Sequence, residues 1–211
     1  MTTAHLLMAL LLGWPMPTLA ADAGPAVVAN EAADLYREMG LEGILDEAVF
    51  SAGYASVQSH GIRARMVAIA DMSQPSTAKR LYVFDLETRK LVLRTFVAHG
   101  SNSGDLMADR FSNRDGSHQT SLGLYRVGSR ILSPKHGPAL LLDGMDRGVN
   151  DGALRREVII HGASYVSQEF IAQHGRLGRS WGCPAVPIED MSRVIELLGD
   201  GGLLYVAAPR G

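Results

Sequence analysis

Hydrophobic positions follow two periods along this chain, and the switch between them falls near residue 60. Residues 30–60 read as helical. Asn30 is expected to cap a first helix, with Glu31 and Asp34 in its first turn and Gly40 as its stop. A second helix is expected over Leu45 to Ser59. Leu45, Val49 and Ala52 form one apolar stripe on it, and Phe50, Tyr54 and Val57 another, so it packs on more than one side. Beyond His60-Gly61 the pattern becomes that of strands. Met66–Ala70 is a short apolar run. Arg80–Leu86 and Leu91–Ala98 flank the turn Glu87-Thr88-Arg89-Lys90 as a hairpin. Leu122–Val127, Leu140–Leu142 and Glu157–His161 are further strands. Ile188–Leu198 has one apolar face (Ile188, Met191, Val194, Ile195, Leu198) behind Pro187 and reads as a helix, and Leu203–Ala207 as a last strand. The stretch from Gly100 to Gly116 is too long for an ordinary connection, and its Gly and Ser content suits a lid. The fold class expected is mixed α/β and β-dominated, with a small N-terminal helical annex over 21–61 and a main domain over 62–211.

The first twenty residues stand apart. Leu6 to Trp14 is an apolar run too short to span a bilayer, broken by Pro15 and Pro17, and Thr18-Leu19-Ala20 offers the small residues of a cleavage site. Residues 1–20 are therefore expected to be a signal peptide, although only His5, and no Lys or Arg, precedes the run. The alternative is a buried N-terminal helix. No cysteine follows the cleavage site, which excludes a lipid anchor there. The mature chain is expected to be exported, periplasmic and without an integral membrane segment.

Composition narrows the function. The 211 residues are 46% hydrophobic and 20% charged, with a formal net charge of −2, so a globular fold is expected and a nucleic-acid partner is not. Aromatic content of 6% leaves no set of stacking platforms for single strands. The single cysteine, Cys183, cannot form an intramolecular disulfide. It lies in Arg179-Ser180-Trp181-Gly182-Cys183-Pro184, and His161 ends the strand before it. A histidine within reach of a thiol can take its proton, and a glycine beside the nucleophile lets main-chain N–H groups approach an oxyanion. The bland reading is a small buried core residue. Against it stand the flanking Gly and Pro, the polar and cationic neighbours, and the glycine-rich approach (Gly175, Gly178, Gly182). A zinc set of His99, His118, His161 and Cys183 is a further alternative, though its spacing matches no short ligand pair. Arg147, Arg155 and Arg156 read as solvated surface, and Pro184 and Pro187 as stiffeners of the turn.

The His161-Gly162 … Ser180-Trp181-Gly182-Cys183 pattern resembles the His-Gly … Ser-x-Gly-Cys signature of the L,D-transpeptidase catalytic domain, the YkuD-like enzymes that crosslink bacterial murein. Ala98 to Gly104, Phe111-Ser112-Asn113, Ser117 to Tyr125 and Gly178 to Pro184 are similar to the divergent branch known as the murein L,D-transpeptidase catalytic domain family. The likeness implies a β-sandwich-like domain and peptidoglycan peptide stems as substrate, with no metal or cofactor. Cys183 would attack the L-centre carbonyl of diaminopimelate in a tetrapeptide stem. Terminal D-alanine would leave, and an amine of a second stem would resolve the thioester as a 3→3 crosslink. His161 would be the base, oriented by the Gly162 carbonyl. Gly182 and Cys183 N–H groups would serve the oxyanion, with Trp181, Ser180, Arg179 and His99 about the substrate. Two positions depart from the main family: Trp181 stands where a histidine is usual, and Ala185 where an arginine is usual. Arg179 is a candidate to supply that charge. Water in place of the acceptor amine would make the same parts an L,D-carboxypeptidase. A zinc-dependent murein peptidase and a non-catalytic murein-binding module are the other readings. The sequence points to no protein partner.

Overall fold

Pro25 opens α1 (Pro25–Glu38), five residues before the cap expected at Asn30, because its fixed φ suits the first helical position and Gly24 precedes it. In this computed structural model residues 24–199 and 201–208 are described, so the leader segment over 1–20 lies outside the described residues. Among the described residues no helix is long and apolar enough to cross a membrane. Asp46 caps α2 (Glu47–Ser59) by accepting from the Ala48 N–H at 2.8 Å.

Eight strands follow: β1 (Met66–Asp71), β2 (Leu81–Asp85), β3 (Lys90–Thr95), β4 (Gly123–Ser133), β5 (Gly137–Gly144), β6 (Ile159–Gly162), β7 (Ala185–Val186) and β8 (Leu203–Ala207). Two more helices, α3 (Gln168–His174) and α4 (Ile188–Leu198), lie either side of β7. The strands form one sheet in the order β3-β2-β1-β8-β4-β5-β6-β7. Pairing is antiparallel except for β1 with β8 and β6 with β7. The chain therefore leaves the β7 edge, crosses one face as α4, and inserts β8 into the middle of the sheet.

Period-two alternation gives each face its own core. Ala68, Ala70, Leu81, Val83, Tyr125, Val127, Leu140, Leu142, Leu204 and Val206 pack with Met191, Val194, Leu197 and Leu198 of α4. The alternate positions Ile69, Tyr82, Phe84 and Ala207 meet Tyr36, Val49 and Phe50 of the helical annex. Phe50 meets Phe84 edge-on at 5.3 Å between ring centroids, and burial of such a ring is worth about 2–3 kcal/mol. The annex is thus the cover of one sheet face. The Tyr36 hydroxyl donates to the Leu45 carbonyl at 2.7 Å and ties α1 to the segment before α2.

The edge matters most for the site. Parallel pairing sets His161 opposite Ala185, two residues beyond Cys183. On the other side of that segment, Ala98 bridges to Ala185 and Gly100 to Ser180. The Cys183 turn is held between β6 and residues 98–101.

Candidate active site

His161 lies one residue before the end of β6 and is 1% exposed. Its Nδ1 lies 3.1 Å from the Gly162 carbonyl oxygen. A carbonyl only accepts, so Nδ1 carries the hydrogen and the neutral ring presents Nε2 as its acceptor. Burial, aided by the charges of His136 and Lys135, draws its pKa down from 6.5 to about 4 against the opposing Gly162 hydrogen bond. The imidazole is neutral at pH 7, the state a general base needs. The His136 ring lies against it, 3.8 Å between centroids.

Cys183 is half-buried, and its Sγ is 3.9 Å from the Glu157 carbonyl oxygen. Among the described residues no hydrogen bond joins it to His161. Burial pushes the thiol up. The Ile159 and Cys183 N–H groups and the positive charges of Arg156 and Lys135 pull the other way and do not overcome it. The resting pair is thiol and imidazole, both neutral. Glu157 itself sits at φ 54, a left-handed conformation that non-glycine residues adopt mainly where surrounding structure enforces it.

The turn around the thiol is braced internally. The Ser180 hydroxyl donates to the Cys183 carbonyl at 2.5 Å and accepts from the Gly182 N–H at 3.1 Å. The Gly182 N–H, expected to serve an oxyanion, is therefore committed at rest; the Cys183 N–H faces the sulfur. Gly182 has φ 117, and a Cβ there would lie 2.8 Å from the Gln119 carbonyl oxygen. Gly100 allows the same close approach from the opposite side, with a Cβ position 2.4 Å from the His118 carbonyl oxygen. Gly182 and Gly100 thus allow neighbouring main chain to approach the turn closely. The start of the 100–116 stretch is hydrogen-bonded to its neighbours. Ser101 N–H donates to the Ser180 carbonyl, and Asn102 Nδ2 to the Ser117 carbonyl.

Three expected substrate contacts prove to have other partners. His99 is 1% exposed; Arg80 donates to its Nδ1 at 2.8 Å, and its Nε2 faces the Gly104 carbonyl. Its pKa is drawn down to about 4 by burial and then by Arg80. The imidazole does not reach the site, while the His99 carbonyl accepts from the Ser180 N–H at 3.0 Å. Arg179 pairs with Asp105 at 2.5 Å and donates to the Gly104 carbonyl, so its charge is already matched. Trp181 is 69% exposed, stacked on His118 at 4.8 Å, with the Lys135 ammonium 4.6 Å from its ring centre. The four proposed zinc ligands are not brought together: among the described residues no three His, Cys, Asp or Glu side chains form a group that could hold a metal.

A cleft of about 480 Å³ opens beside Gly162. Lys135, His136 and Pro138 form one wall, Ala163 to Tyr165 another, and Ile188, Met191 and Ser192 of α4 its floor. His136 thus borders both the cleft and the catalytic imidazole candidate. Nothing in the periodicity of the β4–β5 turn marks it; its place is set by the hairpin.

Fold and site together define a β-dominated mixed α/β domain that carries a neutral imidazole on β6 and a thiol in the turn that leads into the neighbouring edge strand β7. The family follows from the sequence: residues 43–207 match the family described as the L,D-transpeptidase catalytic domain, and the chain belongs to it. No curated protein matches the chain. Similar solved structures include an L,D-transpeptidase from Mycobacterium smegmatis at 13% identity, covering 69% of this chain and 59% of that one, TM-score 0.42. Another is an L,D-transpeptidase from Stackebrandtia nassauensis at 14% identity, covering 88% and 78%, TM-score 0.39. A third is the L,D-transpeptidase of Xylanimonas cellulosilytica (residues 123–326) at 15% identity, covering 87% and 94%, TM-score 0.37. The aligned part spans about three fifths of the mycobacterial chain.

Proposed function

We propose that this chain is a cysteine-dependent L,D-transpeptidase of the periplasm that acts on tetrapeptide stems of peptidoglycan. Family membership supports the reaction class. The observation that carries the residue assignment is the β6–β7 pairing, which sets a tautomer-fixed, neutral His161 on the strand beside Cys183.

In this reading the Cys183 thiol passes its proton to His161 Nε2 as sulfur bonds to the L-centre carbonyl carbon of the stem. The Gly162 carbonyl holds the imidazolium that results, the task a carboxylate performs in other triads. The Cys183 N–H meets the oxyanion. His161 then gives the proton to the departing D-alanine nitrogen, the C–N bond breaks, and a thioester remains. An acceptor amine attacks that thioester and loses its proton to His161. The C–S bond breaks, the sulfur is reprotonated, and a 3→3 crosslink is formed. The chemistry needs only a nucleophile, a base and N–H donors, all present in the chain.

The test is product analysis by mass after incubation with disaccharide-tetrapeptide, beside Cys183→Ala. A 3→3 dimer made by the intact protein alone is the expected result. Tripeptide without dimer would replace transfer by hydrolysis, and product made by Cys183→Ala would overturn the nucleophile.

A further inference from the structure

We propose that Arg156 is a positioning residue of the nucleophile, its guanidinium serving as counter-charge to the Cys183 thiolate while its hydrogen bonds hold the 112–121 loop against the Gly182–Cys183 turn. The inference rests on Cys183 being the nucleophile and goes beyond that assignment.

Arg156 is half-buried in the segment before β6, next to Glu157, whose carbonyl faces the thiol. Its Nη1 donates to the Ser112 carbonyl and the Ser121 hydroxyl, and its Nη2 to the Gln119 carbonyl at 2.7 Å and the Ser117 hydroxyl. Every one of these acceptors is neutral. Among the described residues no carboxylate pairs with Arg156. A half-buried cation without a counter-ion is costly, and it is retained where an anion forms beside it. The geometry names that anion. A Cβ on Gly182 would lie 3.1 Å from Arg156 Nη2, so the guanidinium abuts the residue that precedes the nucleophile. The same charge acts on the thiol, lowering its pKa against the larger effect of burial.

Other cations fit less well. Arg179 is matched by Asp105. Lys135 approaches from the β4–β5 turn but is exposed and lies over the Trp181 ring. Of the other ionisable groups in this part of the site, Glu157 and the Tyr165 phenol, which burial and the Cys183 charge push up to about 12, carry no positive charge, and His161 is neutral with the His136 ring against it.

An opposite charge within about 4–6 Å moves a pKa by about one unit or more, a tenfold change in thiolate at fixed pH. The experiment is the pH profile of Cys183 alkylation by iodoacetamide in the full chain. Wild type, Arg156→Gln, Arg156→Lys and Lys135→Gln are compared, each checked by thermal unfolding. The expected result for Arg156→Gln is a profile displaced to higher pH, with alkylation near pH 8 about tenfold slower. Arg156→Lys, which keeps the charge and loses the fork of hydrogen bonds, is expected to stay within about threefold of wild type. A folded Arg156→Gln with the wild-type profile overturns the proposal. So does Arg156→Lys displaced as far as Arg156→Gln, or Lys135→Gln displaced further than Arg156→Gln. If Arg156→Gln does not fold, wild type decides. Its preference for anionic iodoacetate over neutral iodoacetamide should exceed that of free cysteine several-fold and fall with salt; a preference equal to free cysteine overturns the proposal. The titration uses no murein substrate. An unchanged profile would therefore strike Arg156 and leave the transpeptidase reading, while absence of dimer would do the reverse.

Discussion

Mild acid should destabilise this protein through two histidines before its carboxylates matter. His99 and His161 are each 1% exposed, and burial draws each from 6.5 to about 4. A histidine whose folded pKa is depressed takes its proton more readily in the unfolded chain. The stability it contributes is full above about pH 6.5 and is lost progressively down to about pH 4, where both states are protonated. Across that window each group is worth about 3 kcal/mol, a slope of about 1.4 kcal/mol per pH unit. His136, also drawn down by burial and Lys135, adds in the same direction. Asp85, held at about 2 chiefly by Arg65, loses its contribution only below about pH 4 and does not enter. Two histidines together predict a loss of about 4 kcal/mol between about pH 6 and 4.5. Urea unfolding followed by circular dichroism at those pH values measures it. His99→Gln, which can accept from Arg80 and donate to Gly104 without titrating, should halve the slope. A change below about 1 kcal/mol in wild type, or a slope untouched by His99→Gln, would refute the reasoning.

Gly182→Ala places a Cβ 2.8 Å from the Gln119 carbonyl oxygen at φ 117. It should cost about 2 kcal/mol in thermal unfolding and slow product formation by about a hundredfold or more, since the strain falls on the residue beside the proposed nucleophile. Tyr36→Phe removes the hydroxyl that bonds the Leu41 and Leu45 carbonyls and should cost about 1–2 kcal/mol, read by urea midpoint, without altering Cys183 alkylation. Trp181→Ala exposes little and should leave stability within about 1 kcal/mol; a loss above about 2 kcal/mol in the same assay would mean the indole is a structural wall.

Elements with a strong period were legible in the sequence. The helix over Ile188–Leu198 and the strand Leu203–Ala207 stand where expected; of the expected helix face Met191, Val194 and Leu198 are buried, while Ile188 is exposed and Leu197 is buried in addition. The expected hairpin of β2 and β3 forms, with Asp85 accepting from the Glu87 and Thr88 N–H groups at its turn. What was illegible lacked a period. Seven-residue α3 is set by the Ser167 cap and the left-handed Gly175, and buries no residue fully. β4 runs on to Ser133, well past Val127, because its far half pairs with β5 across a register shift while largely exposed. In the site, the His161–Cys183 neighbourhood follows from a motif. The states of His99 and Arg156 do not, because each depends on partners far along the chain. His99 is neutral and buried, with Arg80, nineteen residues earlier, donating a hydrogen bond to its Nδ1. Arg156 reads as surface until the 112–121 loop folds over it.

The resting site is one step short of its reactive form, and each shortfall is local. The thiol faces the Glu157 carbonyl, the Gly182 N–H is taken by Ser180, and among the described residues no carboxylate pairs with Arg156. The first and the last are answered by one event, the formation of negative charge at Cys183. A thiolate releases the Glu157 carbonyl, gives Arg156 its counter-charge, and accepts from the Ile159 and Cys183 N–H groups that already face it. Burial opposes that event in the free protein. A docked stem that displaces water strengthens every one of these attractions at once, because each acts through a lower dielectric. On the proposed mechanism, reactivity is coupled to occupancy of the cleft beside Gly162: small electrophiles that leave the cleft empty should meet a sluggish thiol, while a stem that fills it would meet a neutral imidazole and a nearby guanidinium.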